Sequence, residues 1–174
     1  MLKGLGVFDL YKVVVIGGGW SGCAAAVAAR KAGAEVVLLE KTDMLLGLGN
    51  VGGIMRNNGR FTAAEENIAL GAHELFDITD ACARHINVDF PGHKHASLYD
   101  VVKVEPQVRK LLQEMGVDIR VMSRAIDVEK RDGDSIIIDK IILAGGEAIE
   151  GDVFVETTGS TDSYRYTQGV NSYG

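Results

Sequence analysis

Three glycines near the N-terminus have the spacing of a phosphate-binding loop. Gly17, Gly19 and Gly22 form the pattern Gly-x-Gly-x-x-Gly. In such a loop the first glycine permits a tight turn, the second lets the backbone approach a pyrophosphate, and the third allows close packing of a helix on a strand. The amides and positive dipole end of a helix beginning there favour phosphate binding. The candidate loop residues are Gly17, Gly18, Gly19, Trp20, Ser21 and Gly22.

The elements around these glycines support this interpretation. Residues 12–16 are a β-branched run that stops at glycine, which predicts a strand buried on both faces of a parallel sheet. Residues 21–32 are rich in alanine and end at Gly33, so they predict a helix with a glycine at its C-terminus. Residues 35–40 return as a second apolar run. The order predicts a βαβ unit whose strands are parallel neighbours.

Glu40 ends the second predicted strand, close to the spacing of about twenty residues expected for an acid that binds ribose hydroxyls. An acid at this position disfavours a 2′-phosphate, so NADP is a poor candidate. The pattern alone leaves NAD, FAD and S-adenosylmethionine open. The competing interpretation is that the glycines form an ordinary turn and that Glu40 is a solvated surface acid.

The composition limits the classes of partner. A chain of 174 residues with 47% hydrophobic residues predicts one domain, residues 1–174, with its core in residues 12–160. The net charge of −6 argues against nucleic acid and anionic membrane surfaces as partners. The two cysteines form no redox or zinc motif, so we expect a reduced, cytoplasmic protein. The uncharged run 13–29 is similar to an export signal, but its glycines would break the apolar helix that such a signal needs.

The middle of the chain gives weaker signals. Residues 41–61 hold several glycines and predict a long loop. Thr62 and Glu65 have the spacing of a capping box at a helix start. Residues 77–96 are polar and show no clear period, whereas Pro106 is predicted as the first residue of an amphipathic helix.

The last third of the chain predicts short strands. Residues 117–122, 125–130 and 135–143 form a strand followed by a hairpin pattern, and residues 152–156 form a final apolar run. The predicted fold class is therefore α/β, a Rossmann-like parallel sheet with helices on its faces and a small inserted antiparallel β-meander at about 123–150. Residues 161–174 are expected to be a polar tail.

Residues 13–26, Gly33 and residues 37–41 together resemble the N-terminal FAD-binding part of FAD-dependent oxidoreductases of the two-dinucleotide-binding-domain, glutathione-reductase-like group. The resemblance implies FAD as the cofactor. In that group a glycine-rich segment runs past the flavin, backbone of the meander lies beside the adenine, and a returning strand ends near the cofactor. The binding residues that the resemblance adds are Lys41, Gly47, Gly49, Asn50, Gly52, Gly53, Ala125, Ile126, Thr158 and Gly159.

Two departures from this group matter. Residues 41–60 contain no cysteine pair, which argues against a disulfide reductase. Members of the group also continue beyond the position of Gly159 into a substrate domain and a C-terminal segment that completes the flavin site. We therefore expect a partner subunit or a missing C-terminal region to complete the site, and an oligomer. No catalytic acid, base or nucleophile is evident, and the substrate stays unknown.

Two alternatives to a flavin oxidoreductase stay open. One is a noncatalytic nucleotide-binding or assembly subunit, and the other is an NAD-dependent dehydrogenase module. Among the other polar residues, a histidine-rich group is interpreted as a solvated loop without a metal, because it lacks a recognisable ligand spacing. This group is His85, Asp89, His93 and His95. His73 is interpreted as a surface residue. Two interpretations of Arg56, Asn57 and Asn58 are equally compatible with the sequence. These residues either contact phosphate or the flavin ring, or are exposed loop residues.

Overall fold

The computed structural model describes residues 10–58, 63–86, 94–131 and 137–159. Within them the chain forms ten strands, four α-helices and one short 3-10 helix. In chain order these are β1 (Lys12–Ile16), α1 (Trp20–Lys31), β2 (Glu35–Leu39), the 3-10 helix (Gly47–Gly49), β3 (Arg56–Asn58), α2 (Ala64–Ala69), α3 (Glu74–Ala81), β4 (Ala83–Ile86), β5 (Ala96–Tyr99), α4 (Val101–Glu114), β6 (Asp118–Arg120), β7 (Ala125–Arg131), β8 (Ile137–Leu143), β9 (Ala148–Glu150) and β10 (Val153–Glu156).

A four-stranded parallel sheet in the order β10-β1-β2-β6 forms the centre of the molecule. Val14 of β1 lies beside Val37 of β2 and Phe154 of β10. The predicted βαβ unit is confirmed, with α1 between two parallel neighbouring strands. Because β10 pairs with β1 from the far end of the sequence, the last apolar run returns to the first strand.

Alternate residues of the central strands face different layers. Val13 and Val15 belong to a buried cluster that includes residues of α1 and α4, whereas Val14 and Ile16 belong to one formed with the antiparallel sheet β7-β8-β9. This follows from the two-residue period of strands, which sends successive side chains to opposite faces. The predicted α/β class with an inserted meander is confirmed. The structure adds that α1 and α4 cover one face and the meander covers the other.

The segment between the central strands β2 and β6 contains more structure than the sequence predicts. β3, β5 and β4 form a second antiparallel sheet, so the predicted loop at 41–61 contains a strand, and the aperiodic stretch 77–96 contains most of α3 and all of β4. Strands of three or four residues are too short to show an alternating pattern. Leu75 and Tyr99 join the main buried cluster, so burial against the core stabilises elements that have weak local signals.

Helix α4 begins five residues earlier than predicted. Asp100 caps it, because its carboxylate accepts a hydrogen bond of 3.1 Å from the N–H of Val102. Pro106 therefore lies inside the helix, and its predicted position as first residue is wrong. Its missing N–H leaves only the carbonyl of Val102 without a helical donor, and Val102 is 79% exposed, so water can replace that bond.

The predicted capping box at the start of α2 is also wrong. The residue before the helix is Ala63, which adopts a left-handed conformation with φ of 50° and has no side-chain oxygen. Thr62 lies outside the described residues. Helix α2 therefore begins at Ala64 without a side-chain cap.

Replacement of Leu112 by alanine tests the helical layer. Leu112 of α4 is fully buried in the cluster beneath the sheet, so Leu112→Ala should lower the free energy of unfolding by about 2–5 kcal/mol. Leu70→Ala is the matched control, because Leu70 is 86% exposed, and it should change stability by less than about 0.5 kcal/mol. Urea denaturation of both variants measures the difference. Equal stabilities would show that α4 does not pack as described.

Candidate functional site

A cleft of about 540 Å³ opens at the carboxyl ends of the parallel strands. Residues that follow β1, β2 and β10 line it, including Gly17, Glu40 and Thr157. In open α/β sheets ligands bind in the crevice outside the carboxyl ends of the strands. The topology thus places the predicted loop and the predicted acid at one site.

The structure requires glycine at two of the three motif positions, Gly17 and Gly22, and leaves open space at the third, Gly19. Gly17 has φ of +107°, and a Cβ there would lie 2.8 Å from the backbone of Thr157. A Cβ on Gly22 would lie 1.8 Å from the carbonyl oxygen of Gly17. A Cβ on Gly19 would meet nothing within 4 Å, and Gly19 lines the cleft. Packing therefore requires two of the glycines, whereas the third leaves the cleft open.

The N-terminus of α1 points hydrogen-bond donors at this opening. The first backbone hydrogen bond of the helix runs from the N–H of Cys23 to the carbonyl of Gly19, at 2.9 Å. The N–H groups of Trp20 and Ser21 therefore have no acceptor within the helix, and both residues line the cleft. The first turn contains no acidic residue. Such an end favours binding of an anion.

Glu40 is fixed in the wall of the cleft and is only 6% exposed. Its carboxylate accepts hydrogen bonds from the N–H of Gly18 at 2.8 Å and from the N–H and hydroxyl of Thr42 at 2.8 and 3.0 Å. The interpretation of Glu40 as a solvated surface acid is therefore wrong. A carboxylate has about four acceptor sites, so the three internal donors leave roughly one for a ligand hydroxyl.

The loop after β2 forms the opposite wall and is attached to the phosphate loop. The N–H of Leu46 donates to the carbonyl of Gly18 at 2.7 Å. The buried carboxylate of Glu105 on α4 accepts from the N–H of Leu45 at 3.1 Å and is paired with Arg109. Helix α4 thus fixes the loop after β2 through the carboxylate of Glu105.

The end of β10 contacts the phosphate loop directly. The N–H of Thr157 donates to the carbonyl of Ile16 at 2.9 Å, and its hydroxyl lies 2.8 Å from the carbonyl oxygen of Gly17. Thr158 and Gly159 follow and line the cleft. These two residues were predicted from the sequence and Thr157 was not, although a hydroxyl residue directly after a strand was a usable signal.

The cleft brings together most of the predicted binding residues. Those that line it are Gly17, Gly19, Trp20, Ser21, Glu40, Lys41, Gly47, Gly49, Gly52, Ala125, Thr158 and Gly159. Gly18 and Gly22 lie behind this surface, and Asn50, Gly53 and Ile126 are not part of the lining. The Asn50 amide instead donates to the carbonyl of Leu45 at 3.2 Å. Lining residues that the sequence did not indicate include Thr42, Leu46, Leu48, Ser123 and Arg124.

Cys23 lies directly behind the phosphate loop. It is fully buried, and its thiol is 3.5 Å from the carbonyl oxygen of Gly18. Burial raises the pKa of this thiol to about 12. The side chain is therefore a neutral packing group at neutral pH, as expected for a small buried cysteine.

A second cleft, of about 550 Å³, lies on the other side of Trp20 and Ser21. Its lining is mostly apolar and includes Leu75 and Phe76. Arg56 and Asn57 line this second cleft and not the first, and Asn58 lines neither.

The other polar residues form local pairs. His73 lies 2.6 Å from Asp77, and His95 lies 2.5 Å from Asp80. Asp89 and His93, which belonged to the histidine-rich group, lie outside the described residues. In the part of the chain that the structure describes, no three metal-binding side chains are grouped closely enough to hold an ion. No helix in the same part is both long enough and apolar enough to cross a membrane.

The sheet order, the glycine loop and the fixed acid define a dinucleotide-binding α/β protein of the Rossmann-like class. Residues 12–174 match the family described as "Glucose inhibited division protein A". The chain belongs to this family. No curated protein matches the sequence.

Several solved structures share the fold. The Diels-Alderase PyrE3 is 20% identical with a TM-score of 0.64, and the match covers 91% of this chain and 34% of that one. THI4 from Thermovibrio ammonificans is 15% identical with a TM-score of 0.65, covering 94% and 64%. CtdE, solved in complex with FAD and a substrate, is 16% identical with a TM-score of 0.56, covering 84% and 37%. The chain therefore spans about one third to two thirds of these proteins.

Alanine at Gly22 tests the close crossing of α1 and the loop. A Cβ at this position would lie 1.8 Å from backbone, so Gly22→Ala should lower the free energy of unfolding by about 1–3 kcal/mol or more. Gly145→Ala is the control, because a Cβ there would meet nothing within 4 Å. Thermal unfolding followed by circular dichroism compares the two. A Gly22→Ala variant as stable as the control would contradict the described contact.

Proposed function

We propose that this chain is the FAD-binding part of an oxidoreductase that transfers hydride or electrons through flavin. One observation carries the proposal: an open glycine position, the donors of a helix N-terminus and a fixed acid all face one cleft at the carboxyl edge of a parallel sheet. These are the groups that a dinucleotide needs for its pyrophosphate and its ribose.

The residues present fit the adenosine half of FAD. The N–H groups of Trp20 and Ser21 would bind the pyrophosphate over Gly19, where no Cβ intrudes. The remaining acceptor site of Glu40 would take a ribose hydroxyl. Lys41 also lines the cleft and adds a positive charge to a chain of net charge −6. When bound, FAD supplies the hydride or electron transfer, whereas the protein binds and orients it.

Family and fold favour FAD over NAD. The chain belongs to the glucose inhibited division protein A family, and the similar structure of CtdE contains FAD. The returning strand β10 and the inserted meander occur here in the order expected for flavin enzymes. An NAD-dependent dehydrogenase module is the less supported alternative.

We further propose that additional polypeptide completes the flavin site, either as a continuation of the chain or as a partner subunit. The glycine-rich wall of the cleft exposes Leu48 and Val51, which are 72% and 55% accessible to solvent, and Ile54, which follows in the same segment, is 58% accessible. Apolar side chains grouped on a cleft rim are typical of a surface that another element covers. The similar structures have the length to supply it, because the chain spans only 34–64% of them. The buried free thiols of Cys23 and Cys82 support a reducing, cytoplasmic setting.

Alanine at Gly19 tests the proposed function without disturbing the fold. Its Cβ would enter open space, so the melting temperature of Gly19→Ala should match that of the wild type, whereas affinity for FAD should fall at least about tenfold because the methyl group occupies the pyrophosphate position. Titration of FAD, followed by flavin fluorescence, measures the dissociation constants. Gly145→Ala again provides the matched control.

Two results would contradict the proposal. One is a wild-type chain that binds NAD in competition with ADP and does not bind FAD. The other is a Gly19→Ala variant that binds FAD as tightly as the wild type.

A further inference from the structure

A chain of hydrogen bonds connects the start of α1 to the glycine-rich wall of the cleft. The indole N–H of Trp20 donates to the hydroxyl oxygen of Tyr99 at 3.0 Å, and this hydroxyl donates to the carbonyl of Gly49 at 3.1 Å. Trp20 is the first residue of α1, Tyr99 is the last residue of β5, and Gly49 ends the 3-10 helix. Three elements distant in sequence therefore meet at one phenol.

The direction of this chain is fixed. Tyr99 is 1% exposed, and burial raises the pKa of its phenol, an effect that the hydrogen bond from Trp20 partly opposes. The phenol thus stays neutral near pH 7 and has one proton to donate. An indole N–H only donates, so Tyr99 accepts from Trp20 and donates to the carbonyl of Gly49. The alternative acceptor, the carbonyl of Ile54, is more distant at 3.5 Å.

Packing at the same point is tight. The rings of Trp20 and Tyr99 meet edge to face, with centroids 5.6 Å apart. A Cβ on Gly49 would lie 2.2 Å from the indole nitrogen and 2.6 Å from the phenol oxygen. The glycine therefore brings its backbone against the two aromatic side chains, where no other residue fits.

The position of Gly49 matters for the cleft. The neighbouring Leu46 is hydrogen-bonded to the phosphate loop through Gly18, and a Cβ on Gly47 would lie 3.4 Å from the Cα of Gly19. The segment 46–49 is thus attached to the phosphate loop at one end and to Trp20 and Tyr99 at the other. The backbone of Trp20 lies at the proposed phosphate site while its side chain holds the opposite wall.

We propose that Trp20 and Tyr99 are positioning residues for FAD, which fix the glycine-rich segment relative to the phosphate loop before the cofactor binds. This inference rests on the proposed function. A wall that is fixed before binding loses little conformational freedom when the ligand binds. Affinity is therefore higher than it would be for a mobile wall. The two side chains act through the backbone of Gly49 and need not touch the cofactor.

Tyr99→Phe tests this role, because it removes only the hydroxyl and keeps the ring. Affinity for FAD should fall roughly fivefold, the equivalent of one neutral hydrogen bond. Tyr11→Phe is the matched control, since Tyr11 is 71% exposed, and it should bind FAD as the wild type does. Titration of FAD by flavin fluorescence measures affinity, and thermal unfolding verifies that each variant is folded. Trp20 is the chain's one tryptophan, so its emission reports directly whether the contact is broken.

A second variant separates positioning from a general loss of stability. Trp20→Phe removes the indole donor and should also weaken FAD binding. If both residues act through one contact with Gly49, the double variant should bind FAD more tightly than the product of the two single effects predicts. Should Tyr99→Phe fail to fold, Trp20→Phe alone carries the test against the same control.

The outcomes distinguish this inference from the proposed function. Failure to bind FAD, both by the wild-type chain alone and by the chain together with the polypeptide that completes the site, would overturn the proposed function. The positioning role alone would be overturned if the wild type binds FAD and Tyr99→Phe binds it equally tightly, although the altered Trp20 emission shows that the contact is broken. Strictly multiplicative effects of the two substitutions would overturn it as well.

Discussion

Helix α1 crosses the loop after β1 so closely that there is no room for a side chain at Gly22, where a Cβ would lie 1.8 Å from the carbonyl oxygen of Gly17. This contact sets the position of the helix N-terminus relative to the sheet. The returning strand then packs against the same loop, because Thr157 donates to Ile16 and would collide with any side chain at Gly17. The three segments can approach this closely because Gly17 and Gly22 contribute no side chains where the end of β10 packs against them.

Two buried carboxylates at the cleft are held by specific hydrogen bonds. The carboxylate of Glu40 is buried, and three internal donors, from Gly18 and Thr42, stabilise it there. The acid is thereby held still and keeps only limited capacity for a ligand. A second buried carboxylate, Glu105, holds the opposite loop from α4. A buried, hydrogen-bonded carboxylate therefore lines the cleft at Glu40 and holds the loop after β2 at Glu105.

The local sequence was sufficient where a single short segment determines the structure. Residues 12–40 contain two long apolar runs, an alanine-rich helix and the glycine spacing, and the structure follows them within one residue at each boundary. The sheet β3-β5-β4 was missed because its strands are short and depend on burial against the core. The start of α4 was misplaced because Asp100 caps the helix, which begins at Val101, five residues before Pro106. Arg124 and Tyr99 could not be assigned to the site because only tertiary packing brings them there.

Everything proposed for the site depends on binding of the FAD pyrophosphate at this edge of the sheet. A crystal structure of the chain with bound FAD would show whether the pyrophosphate lies there. The pyrophosphate oxygens should lie about 3 Å from the N–H groups of Trp20 or Ser21, directly above Gly19, with the adenosine ribose beside Glu40. A pyrophosphate bound away from the N-terminus of α1, or a ribose remote from Glu40, would contradict the proposal.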